Sequence, residues 1–257
     1  DDDLSRGLGD VYKRQGLSSR IQNDSFNKDN VNKTIIRNYI RYYLRLPIKS
    51  EYTIDDMADD GVSVLDHLNI ENAHILGISM GGMIAQIIAS SYPEKTKTFT
   101  LIASTASTPS PFNGPSKDVR RLFIERTKNV DATIEDRVSR TKKLFKLIGY
   151  QGIDLDTQEF SDNVKLSIER GGVDDTGFGR QLTAILGSKN RIEKVRSIAA
   201  PTLIIHGKED PLIGVKNAYR SNKLIKGSKL VIIDNMRHLI EPPVFDQFKS
   251  DLLAHLK

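Results

Sequence analysis

Residues 73–85 have the sequence AHILGISMGGMIA, an apolar run that ends in Gly-x-Ser-x-Gly and continues into a helix-forming segment. This order predicts a strand, a tight turn and a helix, with Ser79 at the turn. Gly77 and Gly81 would let the strand and the helix approach without a side-chain clash. The helix N-terminus beside the Ser79 hydroxyl favours a developing negative charge. We therefore predict a nucleophilic serine; the alternative is a glycine-rich turn with an idle serine.

The composition of the 257-residue chain excludes several classes of site. Without cysteine there is no disulfide, thiolate metal site or cysteine nucleophile, and no cofactor or metal is implied. No apolar run approaches the roughly 20 residues of a membrane span, and no secretory signal pattern opens the chain, so we expect a cytoplasmic protein. The 38 Lys and Arg residues are scattered among 33 Asp and Glu residues. The net charge of +5 therefore indicates surface solubility rather than nucleic-acid binding.

One local concentration of cations predicts a basic amphipathic helix. Cations recur every four residues, with apolar side chains between them (Lys33, Arg37, Arg41, Arg45, Lys49; Ile36, Tyr39, Ile40, Tyr43, Leu44). Such a helix either touches a membrane surface or covers part of its own protein and turns its charges to water. We favour the second interpretation and expect no membrane partner.

The rest of the chain alternates between strand-like and helical segments. Thr53 and Asp56 form a capping-box-like pair before a predicted helix over residues 53–68. Further strands are predicted at 99–103, 202–206 and 230–233, charged helical segments within 109–194, and a final helix at 243–256. Alternation of this kind predicts an α/β fold, with a parallel sheet and helices on both faces.

A nucleophilic serine needs a base and a group that orients the base. Because function concentrates at the carboxyl ends of strands in open α/β sheets, we searched the segments that follow the last two predicted strands. They contain Asp210 and His238. The chain order of serine, aspartate and histidine is that of the α/β-hydrolase fold.

Other candidates for the two roles are less well placed. The side chain of Glu209, beside Asp210, should point elsewhere. Four other histidines lie in a helix, near the C-terminus, at a strand start and at a strand end (His67, His255, His74, His206). The alternatives for the chosen residues are a surface-loop histidine at 238 and a turn-forming Asp-Pro at 210.

Three motifs make the chain from residue 16 onward resemble an α/β-hydrolase. They are YTIDDMADD at 52–60, SMGGM at 79–83, and GRQL at 179–182 before APT at 200–202. They are similar to a bacterial branch that includes methylesterases of polyketide antibiotics and enol-lactonase-like or peptidase-like relatives. The resemblance implies a triad of Ser79, Asp210 and His238, with the Met80 N–H in the oxyanion hole. Arg237 departs from the family pattern, in which this position is often glycine.

The resemblance also implies a domain organisation. Residues 16–104 and 196–257 would form the two parts of the core, and residues 105–195 an inserted helical cap that shapes substrate access. Residues 1–15 resemble translated sequencing-adapter sequence, or else are a disordered terminus. GLSSR at 16–20 resembles the end of a family strand motif. We therefore expect the first core strands, and the second oxyanion donor, to be missing, which would leave the 73–78 strand with an unpaired edge and the chain inactive.

The expected activity is that of a serine hydrolase acting on a small-molecule ester, lactone or related acyl compound. The alternatives on the same triad are C–C bond hydrolysis, acyl transfer and peptide hydrolysis. A non-catalytic binding protein with this fold is the alternative from another class. The sequence leaves the oligomeric state and the substrate open.

Overall fold

The computed structural model describes residues 31–107, 114–128, 132–171, 175–188 and 190–257. Its strands are β1 (Ala73–Ile78), β2 (Thr96–Ile102), β3 (Thr202–Gly207) and β4 (Lys229–Ile233). Its helices are α1 (Val31–Tyr43), α2 (Ile54–His67), α3 (Met80–Ser91), α4 (Lys117–Lys128), α5 (Ile134–Ile148), α6 (Gln158–Gly171), α7 (Asp175–Gly187), α8 (Ile192–Arg196), α9 (Lys216–Leu224) and α10 (Pro242–His255). A short 3₁₀ helix, Pro93–Lys95, precedes β2.

The chain divides into two compact units. The helical unit takes in the described residues up to Glu51, Lys117–Leu147 and Gln151–Gly187. The sheet unit takes in Tyr52–Ser116, Ile148–Tyr150 and Ser188–Lys257. The boundaries that the resemblance implies, at 104/105 and 195/196, stay a prediction.

The four strands of the described chain pair in the order β1-β2-β3-β4, and every pairing is parallel. Successive residues of β3 point to opposite faces. Ile204 belongs to a cluster with residues of α3, α8 and α9, whereas Leu203 and Ile205 belong to a cluster with residues of α10. Helices therefore cover both faces of the sheet, which confirms the predicted α/β fold.

Strand β1 is less enclosed than its neighbours. Within the described residues it pairs with β2 alone. His74 and Leu76, two residues apart and so on one face, are exposed, whereas every residue of β3 is buried. Among the described residues, the strand that precedes Ser79 thus has one edge without a paired strand and one exposed face.

Helix α2 begins with the predicted capping box. The Thr53 hydroxyl accepts a hydrogen bond from the Asp56 N–H at 3.1 Å, and the Asp56 carboxylate accepts one from the Thr53 N–H at 2.7 Å. Reciprocal bonds of this kind satisfy two helix-terminal donors. The helix before the site therefore starts where the sequence predicts.

Helix α1 covers the first part of the predicted basic helix but ends at Tyr43, before Arg45 and Lys49, and another face packs. Asn38 donates to the Thr183 hydroxyl at 3.3 Å, within the same unit, and Thr34 and Ile35 are buried beside it. Four of the five apolar residues expected to cover the protein are instead more than half exposed (Ile36, Ile40, Tyr43, Leu44). The expectation was wrong for these residues because the spacing of the cations does not determine which side of the helix meets its neighbour.

No helix of the described chain is both long and apolar enough to cross a bilayer.

Candidate active site

Ser79 occupies a strained turn between β1 and α3. Its backbone has φ 53° and ψ −119°, a positive φ that residues other than glycine rarely adopt. The turn is held on both sides: the Ser79 N–H donates to the Ile102 carbonyl at 3.0 Å, and the Ser79 carbonyl accepts the Ser104 hydroxyl at 2.6 Å. The surrounding sheet therefore keeps the strained conformation in place.

Glycines allow the close contact between β1 and α3. A Cβ on Gly77 would lie 2.3 Å from the Gly81 carbonyl oxygen, and a Cβ on Gly82 would lie 2.6 Å from Ser104. At Gly81 nothing lies within 4 Å of the added atom. The steric role expected of Gly81 is therefore wrong. The Gly81 backbone lies against Gly77, but a Cβ at Gly81 would meet nothing within 4 Å, whereas a Cβ at Gly77 or Gly82 would clash.

A matched pair of substitutions tests this packing. Gly77→Ala should cost about 3 kcal/mol or more in the free energy of unfolding, because the added methyl meets backbone that cannot rotate away. Gly81→Ala should be neutral or stabilise by up to about 1 kcal/mol, since alanine is the better helix former. Urea unfolding of both variants would measure the difference, and equal stabilities would contradict the packing described.

The structure brings Ser79, Asp210 and His238 together from three strand ends. His238 lies beyond β4 and is 5% exposed; Asp210 lies beyond β3. The imidazole Nδ1 is 2.8 Å from the Asp210 Oδ2, and Nε2 is 3.0 Å from the Ser79 Oγ. A carboxylate can only accept, so Nδ1 carries the proton and Nε2 is left to accept the serine proton.

The loop after β3 fixes the Asp210 carboxylate. Its Oδ1 accepts the N–H groups of Leu212 and Ile213, each at 2.8 Å. Burial by itself raises the pKa of this carboxyl, but hydrogen bonds from His206, His238 and the Ile213 N–H outweigh it and hold the pKa well below its usual range. Asp210 is thus a carboxylate throughout the neutral range.

Because the pKa of Asp210 is low in the folded protein, the stability of the fold should depend on pH in the acidic range. A group whose pKa is lower in the folded state stabilises the fold above its unfolded pKa, and this contribution is lost as the pH falls. We expect the melting temperature of the parent to fall more steeply below about pH 4 than that of Asp210→Asn. Thermal melts across acidic buffers would measure both slopes, and parallel curves would contradict the hydrogen-bonded carboxylate.

Neighbouring residues support the loop after β3 that carries Asp210, residues 208–214, which we call the acid loop. His206 donates from Nε2 to the Ile213 carbonyl at 2.6 Å, and the same nitrogen lies 3.4 Å from the Asp210 Oδ2. A Cβ on Gly207 would lie 2.2 Å from the carbonyl oxygens of Met236 and Arg237, so only glycine fits there. Glu209 is exposed and points toward Arg237, 3.8 Å away, as expected of a residue outside the triad.

Two further features bear on the site. Met80 is the first residue of α3, so its N–H belongs to the helix-terminal donors that lack an intrahelical acceptor. Its oxyanion role stays a prediction.

Ser104 also belongs to the site, because its hydroxyl binds the Ser79 carbonyl. The sequence did not predict this residue, since no local motif marks it and it lies 25 residues from Ser79.

The comparisons with known proteins agree with this architecture. A model of the alpha/beta hydrolase fold family matches residues 16–240. Rhodomycin D methylesterase DnrP from Streptomyces peucetius is 24% identical over 221 residues, covering 80% of this chain and 74% of the relative. 3-Oxoadipate enol-lactonase 1 from Acinetobacter baylyi is 26% identical over 207 residues, covering 80% of this chain and 73% of the relative.

A solved structure adds to the fold comparison. A meta-cleavage product hydrolase from Pseudomonas fluorescens aligns with a TM-score of 0.64 at 21% identity, covering 81% of this chain and 73% of that one. At this identity the likeness concerns the fold alone. Together with the match over residues 16–240, the sheet order and the turn at Ser79, it leads to one conclusion: the chain belongs to the alpha/beta hydrolase fold family.

Proposed function

We propose that this protein is a serine hydrolase that cleaves a carboxylic ester, a lactone or a related acyl compound. The observation that carries the proposal is the hydrogen-bonded line from the Ser79 Oγ through His238 to Asp210, with distances of 3.0 Å and 2.8 Å. A serine without a catalytic role in a glycine-rich turn would not need a buried histidine hydrogen-bonded to its hydroxyl, nor a buried carboxylate hydrogen-bonded to that histidine.

The geometry supports a two-step acyl transfer. In the first step the Ser79 Oγ attacks the carbonyl carbon while its proton passes to the His238 Nε2. The oxyanion then lies beside the Met80 N–H, at the positive end of α3. Asp210 stabilises the imidazolium through Nδ1–H, and the leaving alcohol takes the proton from Nε2. In the second step the His238 Nε2 takes a proton from water as the water attacks the acyl carbon, and it returns that proton to the Ser79 Oγ as the bond to the acyl group breaks and the carboxylic acid leaves.

The substrate class follows from the nucleophile and the relatives. A serine forms an ester intermediate, which suits substrates with an acyl carbon and an oxygen leaving group. The names of two relatives, a methylesterase and an enol-lactonase, describe substrates of this kind. We propose that this chain acts on the same class of small molecule.

Covalent labelling tests the proposal. A fluorophosphonate probe reacts with an activated serine hydroxyl. The folded full-length protein, meaning the chain expressed together with the N-terminal core strands that we expect to be missing, should therefore be labelled, and mass spectrometry should locate the adduct on Ser79. Heat-denatured protein and His238→Ala are the matched controls, and both should stay unlabelled because they lack the assembled base. A folded protein that the probe leaves unmodified would favour a non-catalytic binding protein.

A further inference from the structure

Arg191 is buried in the sheet unit just before α8. Its side chain is among the largest that are fully enclosed, and the residue is 2% exposed. Nη2 donates to the carbonyl oxygens of Thr105 and Ser107 at 3.3 and 3.4 Å, and Nε lies 3.4 Å from the Gln86 Oε1. Two of the three guanidinium nitrogens, Nε and Nη2, therefore donate to neutral oxygen atoms.

Among the described residues, no carboxylate forms an ion pair with Arg191, and its Nη1 has no hydrogen-bond partner. Burial lowers its pKa to about 10, with Asp55 opposing the shift, so the group is charged at neutral pH. Because a buried charge is costly unless hydrogen bonds compensate it, the neutral oxygen atoms that Arg191 binds are held close to it.

The oxygen atoms that Arg191 binds belong to the segment that holds the Ser79 turn. Residues 103–107 follow β2 and are all buried, and Ala103 has a positive φ of 46°. The hydroxyl of Ser104, in the same segment, donates to the Ser79 carbonyl at 2.6 Å. Fixing the segment at Thr105 and Ser107 therefore fixes one support of the nucleophile.

The other support, α3, is held from the same point. Gln86 lies on α3, is fully buried, and donates from Nε2 to the Thr105 carbonyl at 3.2 Å while facing the Arg191 Nε. Since α3 starts directly after Ser79, the guanidinium links the helix and the segment that together hold the turn.

The network continues to the acid loop. The Thr105 hydroxyl donates to the Asn217 Oδ1 at 2.8 Å, and the Asn217 amide donates to the Gly214 carbonyl at 2.9 Å. Gly214 follows Ile213, whose N–H holds the Asp210 carboxylate at 2.8 Å. Buried polar chains of this kind rigidify the groups at their ends.

We propose that Arg191 is a positioning residue for the Ser79 nucleophile: its buried charge holds the 103–107 segment and α3 so that Ser79 meets His238. This inference rests on the proposed serine hydrolase function. Arg191 touches no reacting atom, so its loss should lower the rate of the chemical step and leave substrate binding nearly unchanged.

The test compares Arg191→Ala, Arg191→Met and Arg196→Ala in the full-length protein. Arg196, on the same helix, is exposed and pairs with Glu193, so its variant should match the parent. For Arg191→Ala we expect fluorophosphonate labelling and kcat on a p-nitrophenyl ester to fall by about 10- to 100-fold, with KM little changed. Low-millimolar guanidinium chloride should restore most of the lost rate, whereas equal sodium chloride should not. Arg191→Met, which fills the space without the charge, should be slow and not restored.

Each outcome separates the two proposals. A parent that is folded but unlabelled removes the serine hydrolase function and this inference together. A labelled parent with a folded Arg191→Met that reacts at the parental rate overturns the inference alone. If Arg191→Ala does not fold without guanidinium, Arg191→Met decides the question: a folded, slow variant supports positioning, and one slowed only in proportion to its unfolded fraction contradicts it.

Discussion

Replacing Ser79 by alanine is expected to lower kcat/KM for a p-nitrophenyl ester by about 10⁴-fold or more in the full-length protein, the scale observed when a triad member is removed. The variant loses the atom that forms the acyl bond, while His238 and Asp210 keep their own hydrogen bond. Because the methyl of alanine fits where the serine Cβ already lies, the melting temperature should change little.

The matched control for this experiment is Ser91→Ala. Ser91 ends α3, is exposed, and lies on the same helix that follows the nucleophile, so its variant should keep the parental rate. Near-parental turnover in Ser79→Ala would assign the nucleophile to another residue and refute the proposed mechanism.

The second large effect is expected for Asp210→Asn, at about 10⁴-fold in kcat. The N–H groups of Leu212 and Ile213, each 2.8 Å from Oδ1, would retain the amide oxygen of the new side chain and turn its NH₂ toward His238. That NH₂ can only donate to Nδ1, which forces the imidazole proton onto Nε2. The ring could then no longer accept the proton of Ser79.

Glu209→Gln is the control, because Glu209 adjoins Asp210 but is exposed. It should retain the parental kcat, whereas Asp210→Asn should be folded yet slow in both ester turnover and fluorophosphonate labelling. The reverse pattern, an active Asp210→Asn and an inactive Glu209→Gln, would move the acid role to the neighbouring residue.

The parts of the fold that depend on local pattern could be predicted from the sequence. The apolar runs at 99–103, 202–206 and 230–233 correspond to Thr96–Ile102, Thr202–Gly207 and Lys229–Ile233, since a buried parallel strand needs continuous apolar side chains. Strand-end placement and chain order were enough to select the aspartate and the histidine that meet Ser79.

Contacts between distant segments could not be predicted in this way. Arg191 and Gln86 are 105 residues apart, and a charged residue in a charged stretch gives no local sign that it will be buried. The same limit explains Gly81 and Gly82: both fit the motif, and only the position of Ser104 decides which of them must lack a side chain. The packed face of α1 likewise depends on Thr183, in a helix remote in sequence.

The edge of β1 that has no paired strand among the described residues has a consequence for the motion of the nucleophile. In a parallel strand, alternate N–H groups point to opposite sides, so within the described chain only one set of β1 amides is bonded to β2. Where that edge is free in solution, the other set exchanges with deuterated solvent through local fluctuations, without waiting for global unfolding. A segment outside the described residues that paired with the edge would instead protect both sets of amides. Ser79 follows this strand directly, so deuterium uptake at alternate amides of residues 73–78 measures how firmly the base of the nucleophile turn is held.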